Sequence, residues 1–396
     1  MMDKKSGGIA LIGATGSVGR SVVSVCETFG ERFVLHSMAA RNNAEALVEL
    51  QERTGCRVLA LTGKRRSGEF EKRAAFGTRW LYGDDALVEI VLDREVDLVV
   101  VASSGVSAIK PVIEALGAGK RVCIANKESL IAAGKWISGS VKYENQLLPL
   151  DSEHNALWQC LGKKCDCDGV AKLVLTASGG PFLNRPADSL AHVTVEEVLK
   201  HPVWSMGSKI TVDSASMMNK GFEMMEAGVL FGCEPERVSA VIHPESHVHG
   251  IVEFFDGTRR MAAFTPDMRI PILCAMAYPD ILHWPESPEA PSVEEVSVMT
   301  FLEIDATRFP CFYIAREVFK KGGGYPAFLV GADEAAVNLF LQGKIAYREI
   351  PALIEKAIEE YSGHEPSCWQ EAVEIVKEGG IRVREKTGER ASDDEG

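Results

Sequence analysis

The segment Ile9-Ala10-Leu11-Ile12-Gly13-Ala14-Thr15-Gly16-Ser17-Val18-Gly19 carries the strongest structural signal in this chain. A short apolar run leads into a glycine-rich turn, after which Val22, Val23, Val25 and Cys26 recur at helical spacing. This order of strand, glycine turn and helix is typical of a nucleotide-binding unit, because glycines let the backbone approach a pyrophosphate whose charge the helix N-terminus stabilises. The alternative is a glycine-rich turn without a ligand, and the surrounding sequence favours the nucleotide.

The first 150 residues repeat this alternation of strand and helix. Short runs rich in β-branched residues alternate with amphipathic segments, which predicts a parallel sheet with crossover helices. We expect six strands, at Ile9 to Ile12, Phe33 to Ala39, Arg57 to Leu61, Asp97 to Ala102, Arg121 to Ala125 and Leu147 to Leu150. The prediction is an α/β fold with a doubly wound parallel-sheet (Rossmann-like) dinucleotide-binding domain over residues 1–150.

The end of the second predicted strand indicates which dinucleotide binds. The sequence Ala40-Arg41-Asn42-Asn43 stands about twenty residues after the glycines, where an NAD site places Asp or Glu against the ribose 2′-hydroxyl. An arginine there can bind a 2′-phosphate through paired charge-assisted hydrogen bonds, which favours NADP(H). A surface arginine on a solvated loop is the alternative.

The rest of the chain predicts two further domains. Residues 151–285 are expected to be α+β, with a strand pair around Asp256-Gly257. Prolines are dense between Pro279 and Pro291, and we place a linker at 286–312. Apolar residues near Ile354 and Val373 recur on one face, which predicts a C-terminal helical domain over 313–396.

Two carboxylates follow the sixth predicted strand, in Asp151-Ser152-Glu153-His154. In an extended chain this spacing places both carboxylates on one side, where two like charges must share a proton or bind a cation. Mg²⁺ or Mn²⁺ suits such oxygen ligands, and Glu223 is a candidate third ligand. An acidic surface turn is the alternative interpretation of the tetrapeptide alone.

Polar side chains are concentrated in two later segments, His201 to Gly207 and Asp213 to Glu223. Asn219 and Glu223 are four residues apart and share a face of a helix. An anion such as phosphate suits a group of hydroxyl, amide and cationic donors, taken as Ser178, His201, Ser214, Asn219 and Lys220. Taken singly, each is equally explained as a cap, a turn or a solvated residue.

Composition and charge exclude several classes of protein. The chain has 396 residues, 46% of them hydrophobic, and a formal charge of −13, which disfavours nucleic acid and anionic lipid as partners. We find no apolar run long enough for a membrane span, and the ten cysteines at irregular positions predict reduced thiols in the cytoplasm. His243, His247 and His249 are four and then two residues apart, which fits no single helix or strand face, so we expect these histidines to be structural or to support a binding site indirectly rather than to bind zinc.

These features resemble the 1-deoxy-D-xylulose 5-phosphate reductoisomerase family over nearly the whole chain. The matching blocks are Gly13 to Gly19, Ala125 to Leu130, Leu148 to His154, Ser178 to Phe182, His201 to Lys220 with Glu223, Val241 to Pro244 and Met268 to Pro271.

The resemblance implies a homodimer that uses NADPH, a divalent metal and a sugar phosphate substrate. It makes residues 151–285 the catalytic and dimerisation domain with a mobile loop, Asp151, Glu153 and Glu223 the metal ligands, and Lys127 a further catalytic residue. Substrate contacts are expected at Ser152, Glu153, Ser178, His201, Trp204, Ser214, Asn219 and Lys220. Cofactor contacts are expected at Gly13, Thr15, Gly16, Ser17, Val18, Ala40, Arg41, Asn42, Asn126, Lys127, Glu128, Met206 and Gly207.

The implied reaction is a metal-assisted rearrangement of 1-deoxy-D-xylulose 5-phosphate to an aldehyde, which NADPH reduces to 2-C-methyl-D-erythritol 4-phosphate in non-mevalonate isoprenoid biosynthesis. The chain also departs from the family pattern. Val330-Gly331-Ala332-Asp333-Glu334 stands where Asn-Ala-Ala-Asn-Glu is usual, Val203 replaces Asn, and Glu245 replaces Gln. Two rival hypotheses are an NADP-binding regulatory protein without chemistry and a metal-independent NADP dehydrogenase.

Overall fold

The computed structural model describes residues 7–63, 68–200, 207–284, 286–288, 296 and 298–388. These form two compact units, and a seven-stranded parallel sheet lies at the centre of the first. The first unit comprises Met1–Ser129, Lys135–Cys165 and Asp267–Glu289. The second unit comprises Leu130–Gly134, Asp166–Pro266 and Ala290–Gly396.

The strands of this sheet are short and mostly buried, as a sheet covered on both faces requires. They are β1 (Gly8–Ile12), β2 (Leu35–Ala40), β3 (Val58–Leu61), β4 (Arg79–Tyr82), β5 (Val96–Val101), β6 (Arg121–Ile124) and β7 (Leu147–Pro149). Their order is β4-β3-β2-β1-β5-β6-β7. The doubly wound prediction is confirmed. The strand order reverses beside β1, where such sheets bind ligands.

The prediction of six strands is wrong by one, because it omits β4. The four residues of this strand, Arg-Trp-Leu-Tyr, lie at the edge of the sheet and are half-buried or exposed. An edge strand lacks the continuous apolar run by which a central strand is recognised.

One α-helix follows each strand of the first unit. They are α1 (Ser17–Thr28), α2 (Ala44–Thr54), α3 (Gly68–Arg73), α4 (Asp85–Leu92), α5 (Ile109–Gly117), α6 (Lys127–Gly139) and α7 (Ser152–Cys160). A later helix, α11 (Arg269–Ala277), also belongs to this unit. Asn155 of α7 donates to the carbonyl of Pro271 at 3.2 Å, and the rings of Trp158 and Tyr278 are 5.3 Å apart. These contacts bring α11 beside α7.

The second unit contains a four-stranded mixed sheet. Its strands are β8 (Val170–Ala177), β9 (Val238–Ile242), β10 (Val248–Phe254) and β11 (Arg259–Ala263), in the order β11-β10-β8-β9. The β10–β11 pair is antiparallel, which confirms the strand pair predicted around Asp256-Gly257. The helices of this unit are α8 (Val195–Val198), α9 (Ser208–Ser216), α10 (Met218–Phe231), α12 (Pro310–Lys321), α13 (Tyr325–Leu341), α14 (Glu349–Glu359) and α15 (Trp369–Lys386).

The C-terminal part of the chain is helical, as predicted, and α13 packs closely on α15. A Cβ atom added to Gly331 of α13 would overlap the carbonyl oxygen of Val376, and one added to Gly379 of α15 would overlap that of Phe328. The two backbones therefore approach where both helices carry glycine. This explains glycine at position 331. In the described ranges, no helix combines the length and apolar character that a membrane span needs.

Candidate active site

The glycine turn after β1 leads directly into the N-terminus of α1 in the first unit. Gly13 has a φ of +86°, which favours glycine, and its N–H donates to Ala39 O at 2.9 Å. A Cβ atom on Gly19 would overlap the carbonyl oxygen of Gly13, so the turn must keep glycine there too. Gly16 begins α1 without a side-chain cap, and the first turn of α1 carries no acidic residue. The backbone N–H groups of such a helix start suit a pyrophosphate.

The loop that carries Arg41 is held by backbone contacts. The Gly63 N–H donates to Arg41 O at 2.7 Å, and a Cβ on Gly63 would overlap the side chains of Arg41 and Asn42. Asn43 caps α2 by accepting from Ala46 N at 3.0 Å. Arg41 itself is exposed. Gly63 is not among the predicted site residues, because a single glycine shortly after β3 does not indicate in the sequence that it contacts Arg41.

Asn126 joins two loops at the carboxyl edge of the sheet. Its side chain is fully buried and donates to Ser103 O at 2.8 Å and Gly105 O at 2.9 Å. Its Oδ1 accepts from Ser129 N at 2.8 Å, which caps α6. The neighbouring Glu128 is half-buried. Asn126 is therefore the N-cap that fixes where α6 begins, at Lys127.

Lys127 and Asp151 form a hydrogen-bonded ion pair in the first unit. Burial alone raises the pKa of Asp151, but Lys127 and the Nδ1 of His154, 3.4 Å away, hold the pKa of that carboxyl well below its usual range. Lys127 is buried and His154 is completely so. Asp151 is therefore a carboxylate at neutral pH.

The expected extended conformation of Asp151 to Glu153 is wrong. Asp151 is the N-cap of α7, and its Oδ1 accepts from Glu153 N at 3.3 Å. Ser152 donates its hydroxyl hydrogen to Glu153 Oε2. Aspartate is a preferred N-cap residue, and a helix N-terminus stabilises both carboxylates. The sequence Asp-Ser-Glu fits a helix start as well as an extended metal-binding segment.

Helix α10 brings Asn219, Lys220 and Glu223 together in the second unit. Asn219 Nδ2 donates to Glu223 Oε1 at 2.5 Å, as the four-residue spacing predicts, and Lys220 forms an ion pair with Glu223. Lys220 and Glu223 are 3% and 1% exposed. Buried charges of this kind are rare without a partner or a function.

Ser178 and Ser214 belong to segments that pack on each other. The loop Ser178-Gly179-Gly180 follows β8, and Gly180 N donates to Ser178 Oγ at 3.2 Å. A Cβ on Gly180 would lie 3.0 Å from Ser214 O and 3.3 Å from Ala215 Cα. The glycine loop therefore rests on α9 at Ser214. Three predicted site residues, His201, Trp204 and Met206, lie outside the described residues, as does Val203, and Gly207 is the exposed N-cap of α9.

The histidines and cysteines agree with their structural interpretation. His243 is completely buried, with Nδ1 2.9 Å from Thr300 O, and its Nε2 accepts from His247 N at 3.2 Å. Glu245, a departure from the family pattern, accepts from Thr300 N at 3.2 Å and so supports the same contact. None of the ten cysteines, all of which lie in the described ranges, forms a disulfide.

The fold and the glycine turn define a dinucleotide-binding α/β protein of the oxidoreductase class. Three family models match the chain: 1-deoxy-D-xylulose 5-phosphate reductoisomerase at residues 9–134, the C-terminal domain of that enzyme at 147–231, and the DXP reductoisomerase C-terminal domain at 264–380. The chain belongs to the 1-deoxy-D-xylulose 5-phosphate reductoisomerase family.

Individual relatives agree over almost the whole length. The 1-deoxy-D-xylulose 5-phosphate reductoisomerase of Chlamydia muridarum is 40% identical over 89% of this chain and 93% of its own. The solved structure of the Zymomonas mobilis enzyme in complex with NADPH has a TM-score of 0.87 and 33% identity, covering 97% of this chain and 100% of its own. A solved DOX-P reductoisomerase in complex with NADPH, fosmidomycin and magnesium has a TM-score of 0.87 and 32% identity, covering 96% of this chain and 98% of its own.

Proposed function

We propose that this chain converts 1-deoxy-D-xylulose 5-phosphate to 2-C-methyl-D-erythritol 4-phosphate, with NADPH as reductant and a divalent metal, in non-mevalonate isoprenoid biosynthesis. The observation that carries the proposal is the ion pair of Lys127 with Asp151 at the N-terminus of α7, on the edge of the sheet where ligands bind. The relatives described above support the reaction, the reductant and the metal.

The cofactor site proposed for NADPH is the carboxyl edge of the parallel sheet. The N-terminus of α1 suits the pyrophosphate, through Gly13, Thr15, Gly16, Ser17 and Val18. Arg41, with Ala40 and Asn42 beside it, recognises the 2′-phosphate, because a guanidinium matches phosphate geometry. Asn126, Lys127 and Glu128 at the start of α6, together with Met206 and Gly207, complete the proposed contacts.

The metal ligands proposed are Asp151, Glu153 and Glu223. The described side chains fit a hard cation: they offer carboxylate oxygens, and Asp151 is ionised without needing high pH. When bound, the metal would supply Lewis-acid stabilisation of negative charge on substrate oxygens. Both Mg²⁺ and Mn²⁺ suit this set of oxygen donors.

The substrate phosphate is assigned to Ser178, Ser214, Asn219 and Lys220. The ammonium of Lys220 supplies charge, and the hydroxyls and amide supply directed donors. We assign Lys127 and Ser152 to the reacting end of the substrate. The Lys127 ammonium donates to Asp151 in this structure and has further N–H groups that can donate to a substrate oxygen. His201 and Trp204 are proposed to cover the substrate, because excluding water protects an aldehyde intermediate.

Homodimerisation, a mobile loop within 151–285 and a cytoplasmic location complete the proposal. The family resemblance supports the dimer. The absence of disulfides among the ten cysteines, all within the described residues, is compatible with a reducing compartment. Sedimentation equilibrium tests the dimer: a species of twice the chain mass of 43.1 kDa is expected, and a monomer at micromolar concentration would contradict it.

Identification of the product tests the proposed reaction. The purified chain is incubated with 1-deoxy-D-xylulose 5-phosphate, NADPH and Mg²⁺, and the product is examined by ¹³C NMR. A branched carbon skeleton with a quaternary carbon is expected, since rearrangement moves a carbon–carbon bond before reduction. A linear alditol phosphate would contradict rearrangement and favour the plain dehydrogenase.

A further inference from the structure

Lys209 links two helices of the second unit. It lies in the first turn of α9, and its Nζ donates to Asp213 Oδ2, one turn along the same helix, at 2.6 Å. The same Nζ is 2.7 Å from Asp333 Oδ2 on α13, a helix far away in the sequence. It also lies 5.0 Å from the centroid of the Phe222 ring. The Lys209 ammonium therefore contacts two carboxylates and lies near the face of an aromatic ring.

This cluster is largely shielded from solvent. The side chains of Asp213 and Asp333 are 3% and 1% exposed, and that of Lys209 is 26% exposed. Charges attract more strongly when water is excluded, and a buried carboxylate that loses its cation is strongly unfavourable. The contact between Lys209 and Asp333 therefore restrains α9 against α13 more firmly than a surface ion pair would.

The restrained helix carries part of the proposed phosphate site. Ser214 follows Asp213 directly on α9. The loop of Ser178 rests on the same helix through Gly180, where even a methyl group would lie 3.0 Å from Ser214 O. A shift of α9 would move Ser214 and the support of Ser178 together. Small displacements of binding groups have large effects on the binding of a reacting substrate.

We propose that Asp333, acting through Lys209, is a positioning residue for recognition of the substrate phosphate. Asp333 sets the place of α9 and with it the two serines, and touches no substrate itself. The inference rests on the phosphate site proposed above.

The test compares Asp333→Ala with Asp333→Asn. In D333A, Lys209 loses its partner on α13, and we expect the KM for the sugar phosphate and the Ki of inorganic phosphate to rise about tenfold, with kcat and the KM for NADPH within about twofold. In D333N, the amide keeps the size and dipole of the side chain but loses its charge, so Lys209 is held less firmly, and the KM should lie between that of D333A and that of the natural chain. If D333A does not fold, D333N decides: a KM rise of at least about twofold is expected, and an unchanged KM would overturn the proposal.

Leu339→Ala is the matched control. Leu339 is buried on α13 and, six residues after Asp333, lies about 120° around the helix from it. Its truncation is therefore expected to lower stability without removing a contact of Lys209. We expect the Tm of L339A to fall while the KM for sugar phosphate stays unchanged. An unchanged sugar phosphate KM in D333A, or an equal rise in L339A, would overturn the positioning role. Absence of turnover in the natural chain would instead reject the proposed function.

Discussion

Lys127, the first residue of α6, donates to Asp151, the N-cap of α7, so that an ion pair joins the N-termini of two successive helices. Each helix begins shortly after a parallel strand, and the pair therefore lies at the carboxyl edge of the sheet. This places a stabilised carboxylate where ligands bind in such folds.

Replacing Lys127 with Met should shift the pH dependence of metal binding. Lys127 lowers the pKa of Asp151, so the carboxylate is ionised down to acidic pH in the natural chain. Without the ammonium the pKa of Asp151 rises, and protons compete with metal at higher pH. We expect the pH of half-maximal Mn²⁺ binding, followed by electron paramagnetic resonance of free Mn²⁺, to increase. Lys110→Met, at an exposed lysine of α5, is the control; equal profiles for K127M and K110M would contradict the prediction.

Replacing Glu223 with Gln should abolish most turnover and spare cofactor binding. The amide keeps the size of the side chain but removes a charge that we assign to the metal. We expect kcat to fall by about 100-fold or more, the Mn²⁺ affinity to fall in parallel, and the Kd for NADPH to stay within about twofold. Glu253→Gln removes a carboxylate that pairs with Arg259 at 2.7 Å and serves as control. Undiminished turnover in E223Q would refute the ligand assignment.

Replacing Arg41 with Asp should change the preference between cofactors. A carboxylate repels the 2′-phosphate of NADPH and is a suitable partner for the ribose hydroxyl of NADH. We expect the Kd for NADPH, measured by fluorescence titration, to rise about 100-fold and that for NADH to change far less. Arg53→Asp makes the same charge change on α2, where Arg53 pairs with Glu27, and serves as control. If R41D weakens both cofactors equally, Arg41 does not bind the 2′-phosphate.

Replacing Gly331 with Ala should destabilise the C-terminal helices. The added methyl group would overlap the carbonyl oxygen of Val376, and α13 must separate from α15 to accept it. We expect the free energy of unfolding in urea to fall by about 1–3 kcal/mol. Gly117→Ala, at the end of α5, meets nothing within 4 Å and should be neutral or slightly stabilising. An equal effect of both substitutions would show that the α13–α15 approach is not tight.

The central strands and the glycine turn could be predicted from the sequence, because burial on both faces and a required φ of +86° at Gly13 restrict the residues allowed. The edge strand β4 could not be predicted, because Arg79 is exposed and the other three residues of the strand are only half-buried. The spacing of Asn219 and Glu223 was also informative, because residues four apart become neighbours on a helix such as α10.

Contacts that depend on distant segments could not be predicted from the sequence. The spacing of Asp151 and Glu153 did not distinguish an extended segment from a helix N-terminus, because acidic residues suit both. Nothing near Lys209 in the sequence indicates its pairing with Asp333, and Gly63 gives no sign that it supports Arg41. Such contacts arise only when the helices and strands pack.

NADPH oxidation with 1-deoxy-D-xylulose 5-phosphate as substrate tests the reaction, the reductant and the metal in one assay. The assay compares Mg²⁺ or Mn²⁺ with a chelator, and NADPH with NADH, at equal enzyme concentration. We expect turnover that requires the metal and strongly prefers NADPH. Turnover that persists in chelator would contradict the metal site of Asp151, Glu153 and Glu223. No turnover despite measurable NADPH binding would contradict the proposed reaction itself.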